Sequence, residues 1–270
     1  MKKLVAVLLA ALMVLSLATA ATADQLSDIK AKGTVEVGSS IGFPPYEFYW
    51  TNPETGEEEL AGFDMELAKG IAKELGVELR INDQAFGGLV TALSVHDLDM
   101  VVAGMAIRPD RLEVVDFSNP YFAGNQILLV RAADFDSLKT VEDMKGKKIG
   151  AQLGSLQQGI LEEQFPDAEP LLLDKPAVLA MELVTGNIDG WLITDLVAKQ
   201  YMVVYPDTLQ ISEVPVVYDS SAGIGVAVPK GDNASLLEVV NAYIAKVKSD
   251  GTWDQWMDDA VTKSASLLAE

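Results

Sequence analysis

Residues 103–111, with the sequence AGMAIRPDR, contain the types of group that bind an anion. Arg108 and Arg111 follow a run of small residues, which leave neighbouring backbone amides accessible. A guanidinium group can hold a carboxylate through two parallel hydrogen bonds, and free backbone N–H groups can add others. The stretch therefore predicts a site for a small organic acid, with Arg111 in a short helix that Pro109 begins. The alternative is a surface arginine paired with a nearby carboxylate, which is common in proteins.

The overall charge of the chain makes this arginine pair unusual. The 270 residues include 40 acidic and 20 basic ones, for a formal net charge of −20. An acidic surface disfavours nucleic acid and anionic membranes as partners. The chain has no cysteine and one histidine, His96, which excludes disulfides and thiol catalysis and leaves a metal only oxygen ligands. We therefore expect no cofactor and no metal.

The first 23 residues have the layout of a cleavable secretory signal. Lys2 and Lys3 precede an apolar run over residues 4–18, and the small residues ATA precede Asp24. The run is too short and too rich in alanine for a membrane anchor. We predict that residues 1–23 are removed on export and that the mature protein is free in the periplasm.

Short apolar strands alternate with amphipathic helices along the rest of the chain. Apolar residues recur every four positions behind Asp64, which predicts a helix over residues 64–75 with Asp64 as its N-cap. Residues 99–104 form a nearly continuous apolar strand, typical of a parallel sheet that is covered on both faces. Repeated strand-helix-strand units predict an α/β fold.

The alternation restarts after residue 127, which predicts two α/β lobes. We expect lobe 1 to contain residues 24–124 and 222–270, and lobe 2 to contain residues 125–221. Because no long linker is present, the lobes should meet along a cleft, with short crossings near residues 122–127 and 218–223.

Five segments carry a resemblance to a known family: GFPPYEF, AGFDMELAKGIAKELGV, DMVVAGMAIRPDRLEVVDFSNPYF, VEDMKGKKIGAQLGS and KVKSDGTWDQW. In this order and spacing they resemble the amino-acid-binding family of bacterial periplasmic solute-binding proteins that serve ABC transporters, of the family 3 type. The resemblance covers the whole mature chain. It implies a type II fold, in which two lobes joined by a two-strand hinge close on a small-molecule ligand. It also implies an ABC transporter permease as partner, and we expect a monomer.

The resemblance also implies ligand-binding roles for residues of lobe 1. Arg111 would hold the α-carboxylate of an amino acid, together with backbone amides of the small residues before it. Aromatic rings would cover the ligand from the loop after the first strand and from the start of a helix. The residues concerned are Arg111, Ala103, Gly104, Ala106, Phe43, Tyr46 and Phe86.

The sequence departs from the family pattern at positions in both lobes. Ser155 matches the family's carboxylate-binding loop, which precedes a helix N-terminus. Family members usually carry Ser or Thr in place of Ala106, often Thr in place of Leu156, and an acid near Thr194 that binds the ligand ammonium group. Here Asp195 follows one residue later. We expect Asp195 to bind the ammonium through a local shift in register; the alternative is weak or absent recognition of that group.

These departures bear on the ligand. Members that bind cationic ligands often carry an acid where this chain has Ser40, and the lining is more apolar here. We therefore predict a neutral or polar uncharged amino acid, or a related small carboxylate. The alternative is a dehydratase of cyclic carboxylic acids on the same scaffold, since a fold does not fix a function. Glu47 and Asp195 are the candidate proton-transfer groups for that reaction.

Overall fold

The computed structural model describes residues 24–268, and these form two five-stranded sheets with helices around them. The predicted secretory signal, residues 1–23, lies outside the described residues. The strands are β1 (Thr34–Ser39), β2 (Phe48–Thr51), β3 (Glu58–Ala61), β4 (Glu78–Asp83), β5 (Met100–Val101), β6 (Val115–Phe117), β7 (Gln126–Arg131), β8 (Lys148–Gln152), β9 (Glu169–Leu173), β10 (Gly190–Thr194), β11 (Leu209–Ile211) and β12 (Ala227–Pro229).

The α-helices pack on both sheets and account for most of the buried apolar residues outside them. They are α1 (Gln25–Lys32), α2 (Phe63–Leu75), α3 (Leu89–Ser94), α4 (Pro109–Leu112), α5 (Leu156–Gln164), α6 (Pro176–Val184), α7 (Asp195–Val204), α8 (Ala234–Ser249) and α9 (Thr252–Leu268). A 3₁₀ turn, Phe86–Gly88, leads into α3. Within residues 24–268 no helix combines the length and the apolar character that crossing a bilayer requires.

Both sheets mix parallel and antiparallel strands. The first has the order β4-β1-β5-β12-β6, in which β12 runs antiparallel to its two neighbours, β5 and β6. The second has the order β11-β7-β10-β8-β9, with β8 parallel to both β9 and β10. Strand β10 is buried along its whole length, as expected for a central strand that helices cover on both faces. The predicted α/β class is confirmed.

We call the part of the chain that carries the first sheet lobe 1 and the part that carries the second sheet lobe 2. Two crossings connect them, one between β6 and β7 and one between β11 and β12. The crossings lie side by side: the N–H of Tyr121 donates to the carbonyl of Ile224, and the N–H of Ile224 donates to that of Phe122, at 3.0 and 2.9 Å. The boundaries at residues 124 and 222 remain predictions.

Asp64 has a different role from the predicted one. The N-cap of α2 is Gly62, whose φ of 115° suits glycine; a Cβ there would lie 2.0 Å from the carbonyl oxygen of Tyr46. Asp64 is fully buried in the first turn, and its Oδ2 accepts hydrogen bonds from the N–H of Gly104 at 2.6 Å and from the hydroxyl of Tyr121 at 2.8 Å. The interpretation of Asp64 as an N-cap was wrong because its side chain instead fixes the loop after β5.

Strand β5 is also shorter than the predicted strand over residues 99–104. It ends at Val101, and Gly104 has a φ of +56°, which turns the chain out of the extended conformation. The predicted strand and the loop that follows it form one apolar run, so hydrophobicity alone gave no sign of the turn.

The C-terminal helix α9 packs on α8 and α2 and also reaches α7 of lobe 2. Near its start, the ring of Trp253 contacts Phe63 and Tyr121, with centroid distances of 5.4 and 5.6 Å. Farther along, the hydroxyl of Ser264 donates to Oε1 of Gln200 in α7 at 2.7 Å, and both side chains are buried. Helix α9 therefore contacts both lobes.

Candidate functional site

A cavity of about 620 Å³, its open mouth included, lies between the two lobes. Ten of the eleven predicted site residues line it: Phe43, Tyr46, Phe86, Ala103, Gly104, Ala106, Arg111, Ser155, Leu156 and Thr194. The eleventh, Asp195, is not among the lining residues. Loops at the ends of both sheets thus converge on one space, which is where ligands commonly bind in α/β proteins.

Arg111 lies in this cavity as a buried cation. Helix α4 begins with Pro109, as predicted, and Arg111 is only 5% exposed. Its Nη1 donates to the carbonyl of Ala106 at 2.8 Å, and its Nη2 donates across the cleft to the carbonyl of Gly154 at 3.1 Å. The guanidinium carbon lies 5.5 Å from the ring centroid of Phe86. These contacts hold the group in one orientation.

Arg111 has no acidic partner among the described residues. No carboxylate oxygen there lies within 4.0 Å of its guanidinium nitrogens, the distance that defines an ion pair. Burial, together with the charge of Arg108, lowers the pKa of Arg111 to about 10, so the group remains a cation at neutral pH. A buried cation that is hydrogen-bonded only to carbonyls lacks a negative charge to offset the cost of its burial. The arrangement can accept an anion from outside the protein.

Arg108 makes different contacts. It binds Asp110 through Nε at 2.9 Å and through Nη2 at 2.8 Å, which agrees with a surface ion pair. Its Nη1 also donates to the carbonyl of Ser155 at 3.1 Å, so it joins the lobes at the edge of the cleft. Arg108 does not line the cavity.

The loop of lobe 1 is shaped by Asp64 and the aromatic rings. The amide of Gly104 donates to Asp64, so this N–H is not free for a ligand, contrary to the expectation from the sequence. A Cβ on Gly104 would lie 3.2 Å from the ring of Tyr46, which indicates why glycine stands there. The rings of Phe43 and Tyr46 are 4.9 Å apart and form one wall.

The same carboxyl gives a testable dependence of stability on pH. Burial raises the pKa of Asp64 from 3.8 to about 7, although two hydrogen bonds oppose the shift. Between these values the folded state holds a proton that the unfolded chain has lost, so the contribution of this group to the free energy of unfolding falls as pH rises. We expect Asp64→Asn to remove a slope of about 1.4 kcal/mol per pH unit over that range. Urea unfolding of both proteins at several pH values measures it, and parallel curves would contradict the expectation.

Lobe 2 contributes the loop before α5. Ser155 is the N-cap of this helix, and its Oγ accepts from the N–H of Gln158 at 3.2 Å. Gly154, with a φ of +75°, touches lobe 1 directly, because a Cβ on it would lie 2.6 Å from the Cα of Gly87. The loop closes against lobe 1 by backbone contact.

Thr194 and Asp195 are separated by the end of β10. Thr194 lines the cavity, and its buried Oγ1 has no hydrogen-bond partner among the described residues. Asp195 begins α7, and its Oδ2 lies 3.2 Å from Nζ of Lys199. The structure therefore does not bring Asp195 into the cavity lining, where it was expected to bind an ammonium group, and places Thr194 there instead.

Sequence reasoning missed several polar lining residues: Glu47, Gln126, Gln152, Gln157 and Tyr218. Glu47 was considered only as a proton-transfer group, although an acid between two aromatic residues of an apolar run signals burial. It is 1% exposed, and its Oε2 has no hydrogen-bond partner among the described residues. Burial and the carboxylates of Asp64 and Asp83 raise the pKa of Glu47 well above its usual range.

The comparisons with known proteins agree with this architecture. The profile of the bacterial extracellular solute-binding proteins, family 3, matches residues 35–261. ABC transporter arginine-binding protein 1 of Escherichia coli K12 is 31% identical over 227 residues, which cover 82% of this chain and 90% of that protein. The L-cystine-binding protein TcyJ of the same strain is 31% identical over 242 residues, 88% of each chain.

A solved structure shows the same fold. The amino acid ABC transporter substrate-binding protein from Streptococcus pneumoniae Canada MDR_19A, bound to L-arginine, superposes with a TM-score of 0.83 and 30% identity, covering 88% of this chain and 98% of that one. The two lobes therefore have the type II fold of periplasmic binding proteins, as predicted. The chain belongs to family 3 of the bacterial extracellular solute-binding proteins.

Proposed function

We propose that this protein binds an amino acid between its lobes in the periplasm and delivers it to an ABC importer by closing its cleft. The observation that carries the proposal is the buried guanidinium of Arg111, which lines the cavity without an acidic partner among the described residues. The α-carboxylate of an amino acid would complete this site. Relatives that bind arginine and cystine support the same class of ligand.

The energetic argument rests on the desolvation of Arg111. A buried charge is costly unless it is paired and hydrogen-bonded, and carbonyl groups satisfy only part of the guanidinium. A carboxylate would add charge-assisted hydrogen bonds, which are roughly twice as strong as neutral ones. The Phe86 ring beside the guanidinium limits the directions from which the carboxylate can approach.

Closure of the cleft is supported by contacts that join the lobes around the cavity. Arg111 donates to Gly154, Arg108 donates to Ser155, and Nζ of Lys175 donates to the carbonyl of Ile41 at 3.1 Å. A ligand that touches both lobes stabilises this arrangement relative to an open one, in proportion to its differential affinity for the two states.

The lining favours a ligand without net charge. Among the described residues, Arg111 is the basic residue of the lining and Glu47 is its carboxylic acid, and the other polar groups are amides, hydroxyls and phenols. We propose a neutral or polar uncharged amino acid on this basis. A ligand with a net charge would leave an excess charge in a buried space.

We expect such a ligand to raise the melting temperature of the protein. A ligand that binds only the folded state at 100 times its Kd adds about 2.7 kcal/mol to the free energy of unfolding. For a chain of this size that corresponds to a rise of about 5 to 10 °C. Thermal unfolding with each common L-amino acid, followed by calorimetry on those that shift it, is the test. If no amino acid or small carboxylate shifts the transition, the proposal fails.

A second candidate is a dehydratase, favoured by one observation. Glu47 lines the cavity with a raised pKa, so it can carry a proton that a general acid would transfer. We propose binding rather than catalysis, because no second carboxyl group and no histidine line the cavity in the described part of the chain. Incubation with cyclic hydroxy acids and analysis of the products would separate the two, since catalytic turnover would refute a pure binding role.

A further inference from the structure

We propose that Glu47 binds the positive group of the ligand, so that the preferred ligands carry their cation at the end opposite the carboxylate and need no α-ammonium group. The chemical class is an ω-amino acid, which has no net charge. This inference rests on the proposed function, because it takes Arg111 as the site of the carboxylate.

The first step is the distribution of charge in the lining. Arg111 and Glu47 share the cavity, but they do not form an ion pair with each other. Among residues 24–268, neither of these two buried side chains forms an ion pair with a group of opposite charge. One ligand that has a carboxylate and a separate cation satisfies both groups.

The second step concerns the surroundings of Glu47. It follows Tyr46 directly, and the rings of Phe43 and Tyr46 form the neighbouring wall of the cavity. Aromatic faces attract cations, most strongly where water is excluded. An ammonium group at this position would meet a carboxylate and ring faces together.

The third step concerns the end of the cavity that holds Arg111. The groups in contact with this guanidinium are the carbonyls of Ala106 and Gly154 and the ring of Phe86, and none of them is an acid. Asp195, which was expected to bind an α-ammonium group, is paired with Lys199 outside the lining. A buried ammonium next to the carboxylate would therefore lack an anionic partner, which is costly.

If a cation binds at Glu47, ligand binding should be accompanied by the release of a proton. Asp64 and Asp83 face it from α2 and from the end of β4, and the phenols of Tyr46 and Tyr121 also lie near it. Burial and these carboxylates raise the pKa of Glu47, so it takes up a proton at a higher pH than an exposed glutamate does. A cation favours the ionised form, so binding releases a proton and the affinity rises with pH.

The test compares three pairs of isomers that differ in the position of the ammonium group, and one pair that differs in the presence of an α-ammonium group. Calorimetry measures γ-aminobutyrate, δ-aminovalerate and ε-aminocaproate against L-α-aminobutyrate, L-norvaline and L-norleucine, and δ-guanidinovalerate against L-arginine. We expect at least one ω-substituted compound to bind about tenfold or more tightly than its α-amino counterpart. Titration in two buffers of different ionisation enthalpy should show proton release on binding.

Variants assign the effect to Glu47. We expect Glu47→Gln, a change of similar size, to abolish the preference for the ω-isomer and most of the proton release, whereas Glu57→Gln, an exposed control, should change neither. Circular dichroism checks that both variants fold, and the isomer comparison on the native protein stands without them.

The outcomes separate this inference from the proposed function. If α-amino compounds bind through Arg111 as tightly as their ω-counterparts, or if L-arginine binds and δ-guanidinovalerate does not, the inference is overturned while the proposed function stands. Binding by none of these compounds would also overturn the ligand class. If Arg111 is irrelevant to every ligand that binds, the proposed function itself fails.

Discussion

Arg111→Ala is expected to weaken ligand binding by about 30- to 4000-fold. Truncating one partner of a buried, hydrogen-bonded charge pair costs about 2 to 5 kcal/mol, and each 1.4 kcal/mol corresponds to a factor of ten in Kd. Arg111 is buried in the cavity and has no acidic partner of its own among the described residues, so a bound carboxylate would depend on it. Calorimetry with the ligand found by the thermal screen measures the loss.

Two matched variants make this prediction specific. Arg108→Ala removes a neighbouring guanidinium that pairs with Asp110 and reaches Ser155 but does not line the cavity, so we expect a loss of less than about tenfold. Arg111→Lys keeps the charge but cannot form two parallel hydrogen bonds, and we expect it to bind with intermediate affinity. Similar losses for Arg108→Ala and Arg111→Ala would show that the carboxylate does not bind where we place it.

Gly154→Ala is expected to prevent full closure of the cleft. A Cβ at this position would lie 2.6 Å from the Cα of Gly87, a backbone atom that cannot rotate away as a side chain would. The lobes must therefore stay farther apart, and the hydrogen bond from Arg111 to the carbonyl of Gly154 is lost. We expect the affinity to fall by at least tenfold and the radius of gyration with ligand to stay near its ligand-free value in small-angle scattering.

Gly159→Ala provides the control. Gly159 lies in the same helix region, in α5, and a Cβ there meets nothing within 4 Å. Alanine is favoured over glycine inside a helix by about 1 kcal/mol, so this variant should be slightly more stable and should close normally. The φ of +75° at Gly154 adds a strain of about 1 to 2 kcal/mol to its alanine variant. If Gly154→Ala closes like the native protein, the direct contact between Gly87 and Gly154 does not limit closure.

The sequence predicted those elements whose local pattern and tertiary environment agree. The helix predicted over residues 64–75 forms as α2 (Phe63–Leu75), because the apolar residues that recur every four positions are the ones buried in the core. Pro109 begins α4, since its fixed φ suits the first helical position. The restart of the alternation predicted two lobes, the resemblance implied their type II fold, and that fold is confirmed.

Other features depend on contacts that no local pattern encodes. Asp64 resembles an N-cap by its position, but its partners, Gly104 and Tyr121, are distant in sequence. Glu47 lies in the cavity because the chain turns there, and its raised pKa comes from two acids on other elements. A shift of one residue at the end of β10 decides that Thr194 rather than Asp195 lines the cavity, and periodicity cannot fix a register to one residue.

Helix α9 has a mechanical consequence, because it is anchored on both sides of the cleft. If lobe 2 swings about the paired crossings, Gln200 moves away from Ser264 unless the end of the helix travels with it. The C-terminal turns of α9 must then either bend or lose the buried hydrogen bond between Ser264 and Gln200. Opening of the cleft would therefore store bending energy in α9, in addition to breaking the contacts between the lobes around the cavity.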